Sequence, residues 1–311
     1  MEGITGGEYR RAHHKYFSGI DRYYMPFVSP TRDHVFTPRE LRNISPEANE
    51  GICAVPQLLT REPEDFLWAA GELKAMGYSE VNLNVGCPSG TVVAKGKGAG
   101  MLADPRKLDQ FLDEIFSGAE LDISVKTRLG LTDPEEFEDI LSVFRKYPIS
   151  LLIVHPRVRQ DYYREPVRTD EFEYVLKNYK GPLCYNGGLV TAGDCDRTEQ
   201  RFPGIDSLMV GQGLLANPAL ARQAKGGAPA RREELQGMHD ELYAVYLKNF
   251  NSGRNTVFHM KEYWSYQSRL FEGGEKLFKQ IRKAQDTAAY ESAVRQIFHT
   301  LPLREDADWS K

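Results

Sequence analysis

Seven short runs of β-branched and apolar residues recur along the chain as far as Val210, and segments of helical length lie between them. The runs are Arg22 to Val28, Ile52 to Leu58, Val81 to Val85, Ile123 to Thr127, Ser150 to Val154, Pro182 to Tyr185 and Ser207 to Val210. Strands separated by helices do not pair as hairpins. They pair in parallel, with the helices covering the sheet. The alternation therefore restricts this part of the chain to a (β/α)8 TIM barrel with one strand unaccounted for, or to a doubly wound open sheet. The strand count favours the barrel.

The helices carry their own punctuation. Pro63 to Met76 has proline in its first turn and Gly77 beyond its last, and Pro134 to Lys146 follows the acidic Asp133-Pro134-Glu135-Glu136. Pro105 to Phe116, Asp170 to Asn178 and Thr191 to Arg201 have suitable length. Composition shifts over Ala224-Lys225-Gly226-Gly227-Ala228-Pro229, which reads as a linker across residues 224–230. The expected division is a catalytic barrel at 1–223 and a small all-helical domain at 231–311. In the latter, Arg231 to Phe250, Val257 to Leu270, Glu275 to Ala284 and Ala288 to His299 read as helices.

A length of 311 residues suits one barrel plus such an appendage. The hydrophobic fraction of 41% and the charged fraction of 27% are those of a globular chain, and no run of about 18 apolar residues is present to span a bilayer. No export signal opens the sequence, so the cytoplasm is the expected compartment. Cysteines at 53, 87, 184 and 195 include no C-x-x-C, so neither a metal site nor a disulfide framework is expected. Cys53 and Cys184 fall inside strand runs and read as small buried hydrophobes, and Cys195 falls on a surface helix. A net charge of -4 gives no global field for nucleic acid, so RNA would need a local patch.

In a parallel barrel chemistry collects at the carboxyl ends of the strands, and polar residues stand there in this chain. The runs end at Gln57, at Asn84 and Cys87, at Lys126 and Arg128, at His155 and Arg157, at Asn186-Gly187-Gly188 and at Gly211-Gln212-Gly213. The last two follow the final strands, where barrels place backbone N–H groups around a phosphate; the alternative is a pair of tight turns. An ammonium within a strand, as at Lys126, needs either an electron-rich ligand such as a flavin or a neighbouring carboxylate.

Cys87 stands between Gly86 and Pro88, off its strand. A thiol with its ordinary pKa of about 8.5 is mostly protonated at neutral pH and can donate a proton as well as attack. No Asp or Glu nearby marks an activated thiolate, which favours the acid role over the nucleophile. The following Lys95-Gly96-Lys97-Gly98-Ala99-Gly100 lacks the spacing of a nucleotide-binding loop and suits a polyanion instead, or else a solvated surface. Arg157, Arg159, Tyr162, Tyr163 and Arg164 interleave groups that contact phosphates and stack on bases. Lys276, Lys279 and Lys283 share one helical face, which is either solvated or a hold on an RNA backbone.

At these residues the sequence resembles the tRNA-dihydrouridine synthase family. Asn82-Leu83-Asn84-Val85-Gly86-Cys87-Pro88-Ser89 with Lys95-Gly96-Lys97-Gly98-Ala99-Gly100 is close to its signature. Met1-Glu2-Gly3, Gln57, Val125-Lys126-Thr127-Arg128, Val154-His155, Asn186-Gly187-Gly188, Gly211 and Asn217-Pro218 extend the likeness over roughly residues 1 to 220. The resemblance implies an FMN-bound barrel that reduces the C5–C6 double bond of a uridine in tRNA, with NADPH as reductant. It implies hydride transfer to C6 and a proton from Cys87 to C5. Met1, Gln57, Lys126, His155, Asn186, Gly187, Gly188, Gly211 and Gln212 would hold FMN. Asn84, Lys95, Lys97, Arg157, Arg159, Lys276, Lys279 and Lys283 would meet the tRNA. No obligate protein partner is expected.

Two positions depart from the family pattern. An Ala-Pro usually precedes the Met-Glu-Gly in a first strand, and here the chain begins at Met1, which accounts for the missing eighth strand. An arginine commonly stands where this chain has Gln212, so weaker FMN binding is expected. The rival readings are a flavin barrel for a free pyrimidine, of the dihydroorotate dehydrogenase kind, and a non-catalytic RNA-binding barrel.

Overall fold

The computed structural model describes Met1 and residues 3–309. Its strands are β1 (Tyr23–Val28), β2 (Ala54–Leu58), β3 (Glu80–Val85), β4 (Asp122–Arg128), β5 (Leu152–His155), β6 (Leu183–Asn186) and β7 (Ser207–Met209). They form one sheet in sequence order with every neighbouring pair parallel, as the alternation predicts. The sheet curls into a barrel open between β7 and β1, and no eighth strand occurs among the described residues.

A helix precedes the sheet, α1 (Gly7–Tyr16), which the strand-and-helix pattern of the sequence does not announce. Between strands run α2 (Pro38–Ile44), α3 (Pro63–Ala75), α4 (Gly90–Val93), α5 (Pro105–Gly118), α6 (Glu136–Phe144), α7 (Thr169–Asn178) and α8 (Ala192–Arg201). After β7 come the short α9 (Gln212–Ala216) and α10 (Leu220–Ala224). The helical bundle follows as α11 (Arg232–Phe250), α12 (Gly253–Gln267), α13 (Glu275–Lys283) and α14 (Thr287–Thr300). Pro63 and Pro105 open α3 and α5 where a backbone N–H would lack an intrahelical partner anyway. Thr191 accepts from the Asp194 amide while the Asp194 carboxylate accepts from the Thr191 amide, closing a capping box on α8.

The strand period of two sorts the side chains into two layers. Val81, Leu83 and Val85 of β3, Ile123 and Val125 of β4, and Leu152 and Val154 of β5 are buried against Phe66, Leu112, Ile115, Ile140 and Phe172 of the covering helices. At about 1.5 to 3 kcal/mol for each such side chain, this shell supplies much of the driving force for folding. The alternate positions, Asn82, Asn84, Ser124, Lys126, Ile153 and His155, line the barrel interior. That interior is mostly polar.

A second apolar cluster joins Tyr9, Ala12 and Phe17, on and just after α1, to Leu235, Met238 and Leu242 of α11, Met260 and Trp264 of α12, and Tyr290 and Ile297 of α14. His13 is buried at this junction. Its Nε2 faces the Pro218 carbonyl at 2.9 Å and therefore donates, which leaves Nδ1 to accept from the Tyr23 hydroxyl at 2.7 Å. Burial pushes its pKa down to about 4, so the ring is neutral. One histidine thus ties the first strand to the segment after the last across the open seam.

The structure corrects the expectation for Cys53 and adds burial to that for Cys195, which lies on a helix as expected. Cys53 lies ahead of β2, because pairing begins only at Ala54 opposite Tyr23, and it is exposed. Cys195 faces inward from α8 and is buried.

Candidate active site

A chain of side-chain amides crosses the carboxyl ends of β2, β3 and β4. Asn82 Nδ2 donates to Ser124 Oγ at 3.0 Å, Gln57 Nε2 to Asn82 Oδ1 at 2.8 Å, and Asn84 Nδ2 to Gln57 Oε1 at 2.7 Å. Asn84 Oδ1 then accepts from the amides of Gly86 and Cys87 at 3.1 and 3.0 Å. The register places Gln57 beside Asn82 and Asn82 beside Ser124, so those two links follow from strand pairing, and Asn84 joins Gln57 from two residues further along β3. Its end point is the backbone of Cys87.

Cys87 is held from the other side as well. Its carbonyl accepts from the Ala99 amide at 3.1 Å, and a Cβ on Gly98, where φ is +56°, would stand 2.9 Å from the Cys87 Cβ. Only glycine lets the loop approach the cysteine this closely. The thiol is partly exposed and lies near enough to Lys126 to interact with it electrostatically.

Lys126 makes no hydrogen bond and no ion pair among the described residues. Burial pushes its pKa down to about 8, and the Arg128 charge adds to the shift. Next to it, His155 Nε2 accepts from Arg157 Nη1 at 2.8 Å, so the proton of the imidazole sits on Nδ1. Burial, followed by Lys126, Arg128 and Arg157, drives the His155 pKa well below its ordinary range. Asn186 lies within side-chain hydrogen-bonding reach of that ring and also donates to the Met209 carbonyl at 2.7 Å. At Gly187, φ is +128° and an added Cβ would meet His155 Nε2 at 3.0 Å. The glycine keeps the imidazole accessible.

Two arginines tie the loop after β5 to the Cys87 turn. Arg128 donates once from each guanidinium nitrogen, to the carbonyls of Gly86, Val158 and Tyr162 at 3.1, 3.0 and 2.7 Å. Arg159 Nε donates to the Pro88 carbonyl at 3.3 Å. Tyr162 is held at φ +48°, a conformation that costs a non-glycine residue about 1 to 3 kcal/mol. Tyr163 lies over Arg128 at 5.2 Å and 6.0 Å from the His155 ring. Tyr266 of α12 reaches the same region, interacting with Gln212 and Tyr163.

The fold therefore gathers Gln57, Asn84, Cys87, Lys126, His155, Arg157, Asn186 and Gly187 into one mouth. Arg159 borders it, and Gln212 lies against the bundle at Tyr266. Gly211 is exposed with open space beside it. Lys97 and Lys95 fall in an adjoining cleft rather than in the mouth. Lys276, Lys279 and Lys283 stand exposed on α13, which packs through Ile281. Met1 is exposed, its amino group bonded to the Thr5 hydroxyl ahead of α1. Asn82, Ser124 and Tyr266 join the site without having been expected there. The first two were legible as polar residues alternating with Val and Leu, but Tyr266 had no local signal.

Comparison with known proteins gives the class first: this is a flavin-dependent oxidoreductase on a parallel barrel. More narrowly, the chain belongs to the dihydrouridine synthase family, whose sequence model, described as Dihydrouridine synthase (Dus), matches residues 1–301. A probable tRNA-dihydrouridine synthase of Staphylococcus epidermidis is 27% identical over 256 residues, 79% of this chain and 74% of that one. The tRNA-dihydrouridine(16) synthase of Cupriavidus necator is 28% identical over 253 residues, 78% of this chain and 77% of the relative. Among solved structures, morphinone reductase aligns with a TM-score of 0.53 at 12% identity, covering 74% of this chain and 84% of its own. The old yellow enzyme homologue from Zymomonas mobilis also gives 0.53 at 12%, covering 76% and 88%. These two share the fold. No helix among the described residues is long and apolar enough to cross a membrane.

Proposed function

We propose that this protein reduces the C5–C6 double bond of a uridine in tRNA, with FMN in the barrel mouth and NADPH as reductant. The observation that carries the reading is Lys126: an ammonium in the barrel mouth beside the hydrogen-bonded Gln57, Asn82 and His155, with no partner of its own among the described residues. Such a group calls for an anionic or electron-rich ligand. A flat ring with a phosphate tail fits what surrounds it. Lys126, Gln57, His155 and Asn186 would face the ring, and Gly187, Gly188, Gly211 and Gln212 the phosphate. The place of Met1 in that set rests on the family resemblance alone.

FMN bound there would supply the reducing equivalent to C6 of the uracil. Cys87 donates the proton to C5, its position fixed by the bonds to its amide and carbonyl. Asn84 orients that donor through the Cys87 amide. The neutral His155, accepting from Arg157, offers its Nδ1 proton and no charge. Extruding a stacked uridine costs a few kcal/mol, which contacts of Lys95, Lys97, Arg157, Arg159, Lys276, Lys279 and Lys283 with the RNA backbone offset. The barrel at 1–223 would carry the chemistry and the helices at 231–311 would dock the tRNA, in a cytoplasmic monomer.

The test is expression in a strain that lacks dihydrouridine, followed by mapping of the tRNA positions that regain it. Restoration at one position supports the reading and identifies the uridine. A yellow protein that restores nothing removes tRNA as substrate. A colourless protein that takes up no added FMN removes the flavin.

A further inference from the structure

Beside the mouth, the loops after β1, β2 and β3 enclose a cleft of about 440 Å³ lined by Pro30, Arg32, Arg61, Asp65, Lys95 and Lys97, among others. Its charges are unequal. Glu62 pairs with the Arg61 guanidinium at 3.1 Å, and Asp65 faces His34 at 3.5 Å. Arg32 and Lys95 have no hydrogen bond or ion pair among the described residues, and Lys97 has only the Ser29 hydroxyl at 3.1 Å. The Arg61 guanidinium reaches to 3.1 Å from where a Cβ on Gly96 would stand, so it lies against the turn between the two lysines. Burial pushes the Lys97 pKa down, Lys95 and Arg61 adding to the effect and Asp65 opposing it.

Like charges held this close repel one another, and an anion between them relieves the repulsion. The lining offers no aromatic ring, so neither a base nor a nicotinamide finds a stacking surface. What the cleft can recognise is phosphate. Two sources of that chemistry reach this mouth, the RNA backbone and the reductant, and the missing stacking surface favours the backbone.

We propose that this cleft binds a backbone phosphate of the RNA beside the target nucleotide, and so clamps the loop that carries Cys87 while the substrate is bound. The proposal rests on the reading of tRNA as substrate and adds Arg32 and Arg61 to its contacts. Lys97 and the Gly96 turn belong to the loop that packs on Cys87, so an anion gripped there holds the proton donor's loop in place.

The FMN-loaded enzyme and its Arg32→Gln/Arg61→Gln variant would be compared in two assays: tRNA binding as salt is raised, and anaerobic flavin reduction by NADPH. The variant is expected to bind tRNA about tenfold more weakly, with its log–log salt slope reduced by about 0.7 to 0.9 for each arginine that no longer meets a phosphate. Its flavin reduction is expected to be unchanged. Glu62→Gln removes an acid and is expected to tighten tRNA binding a few-fold, an effect of opposite sign that misfolding does not imitate. A raised KM for NADPH with unchanged tRNA affinity would assign the cleft to the reductant and overturn the proposal. Unchanged values in both assays would overturn any phosphate site here. The binding arm needs no turnover, so failure of the cleft and failure of the proposed activity are read separately.

Discussion

In the bundle, His239 Nδ1 donates a hydrogen bond to Asp240 at 2.8 Å and Nε2 accepts from the Tyr290 hydroxyl at 2.7 Å, which in turn accepts from Trp264 Nε1 at 2.9 Å. In the barrel mouth, His155 is also buried, but its neighbours are Lys126, Arg128 and Arg157, and among the described residues no carboxylate is hydrogen-bonded to any of the three. His239, Tyr290 and Trp264 are all partnered within the chain. The barrel mouth leaves the Lys126 ammonium without a bonded partner among the described residues, while Asp161 acts on Arg128 and Arg157, and burial makes that costly. Polar groups that satisfy one another hold a fold together, whereas groups that do not must be satisfied by something bound.

The contrast can be attacked at several points. The largest effect is expected for Cys87→Ala, which should retain FMN and melt normally while dihydrouridine formation falls about 10² to 10⁴-fold. Near-normal turnover in a tRNA assay would take Cys87 out of the proton-donor role.

His13 links the two regions and should register in acid. Its folded pKa of about 4 lies below the ordinary 6.5, so the unfolded chain binds more protons between those values. Stability is then full above pH 6.5 and falls by about 3 kcal/mol as pH drops to 4, an effect that His13→Gln should flatten in urea melts. Equal slopes in both proteins would show that His13 does not carry the acid sensitivity.

Lys126→Met should weaken FMN binding about 10 to 100-fold, as removal of a charged partner does, and yet raise the melting temperature of the cofactor-free protein. The sign follows from its depressed pKa. The burial penalty is complete below pH 8 and relieved as pH rises towards 10.5, so the cofactor-free wild type gains stability over that window and the methionine variant does not. A lower melting temperature in Lys126→Met would mean that the ammonium has a stabilising partner after all.

The smallest effect is expected for Tyr290→Phe. It strips the Trp264 donor and the His239 acceptor of their shared partner, costing about 1 to 2 kcal/mol with tRNA turnover unchanged. A loss of turnover larger than the loss of stability would make the bundle relay part of the functional site.

Much of this was readable from sequence. All seven strands fall within two residues of the runs read from the sequence, because the face packed on the helices keeps an apolar residue at every second position. Gln57, Asn84, Lys126 and His155 were found by position at strand ends. What escaped was set by long-range pairing. The buried face of α1 includes Arg10 and His13, whose partners Asn49, Tyr23 and Pro218 lie far away in sequence, so no local pattern marks them as buried. The cleft escaped likewise, since Arg32, Arg61 and Lys97 meet only when three loops fold onto one rim.

The pairing of α1 with the bundle also sets a schedule for synthesis. Its apolar face, Tyr9 with Ala12, leaves the ribosome before any strand, while the α11 residues that cover it follow only from position 232. At about 5 to 20 residues per second that wait is roughly 10 to 40 s, long enough for the whole sheet to emerge and pair. The barrel can therefore be built around a first helix that is still uncovered, and translation that stops before α11 leaves a sticky amino-terminal face for chaperones to guard.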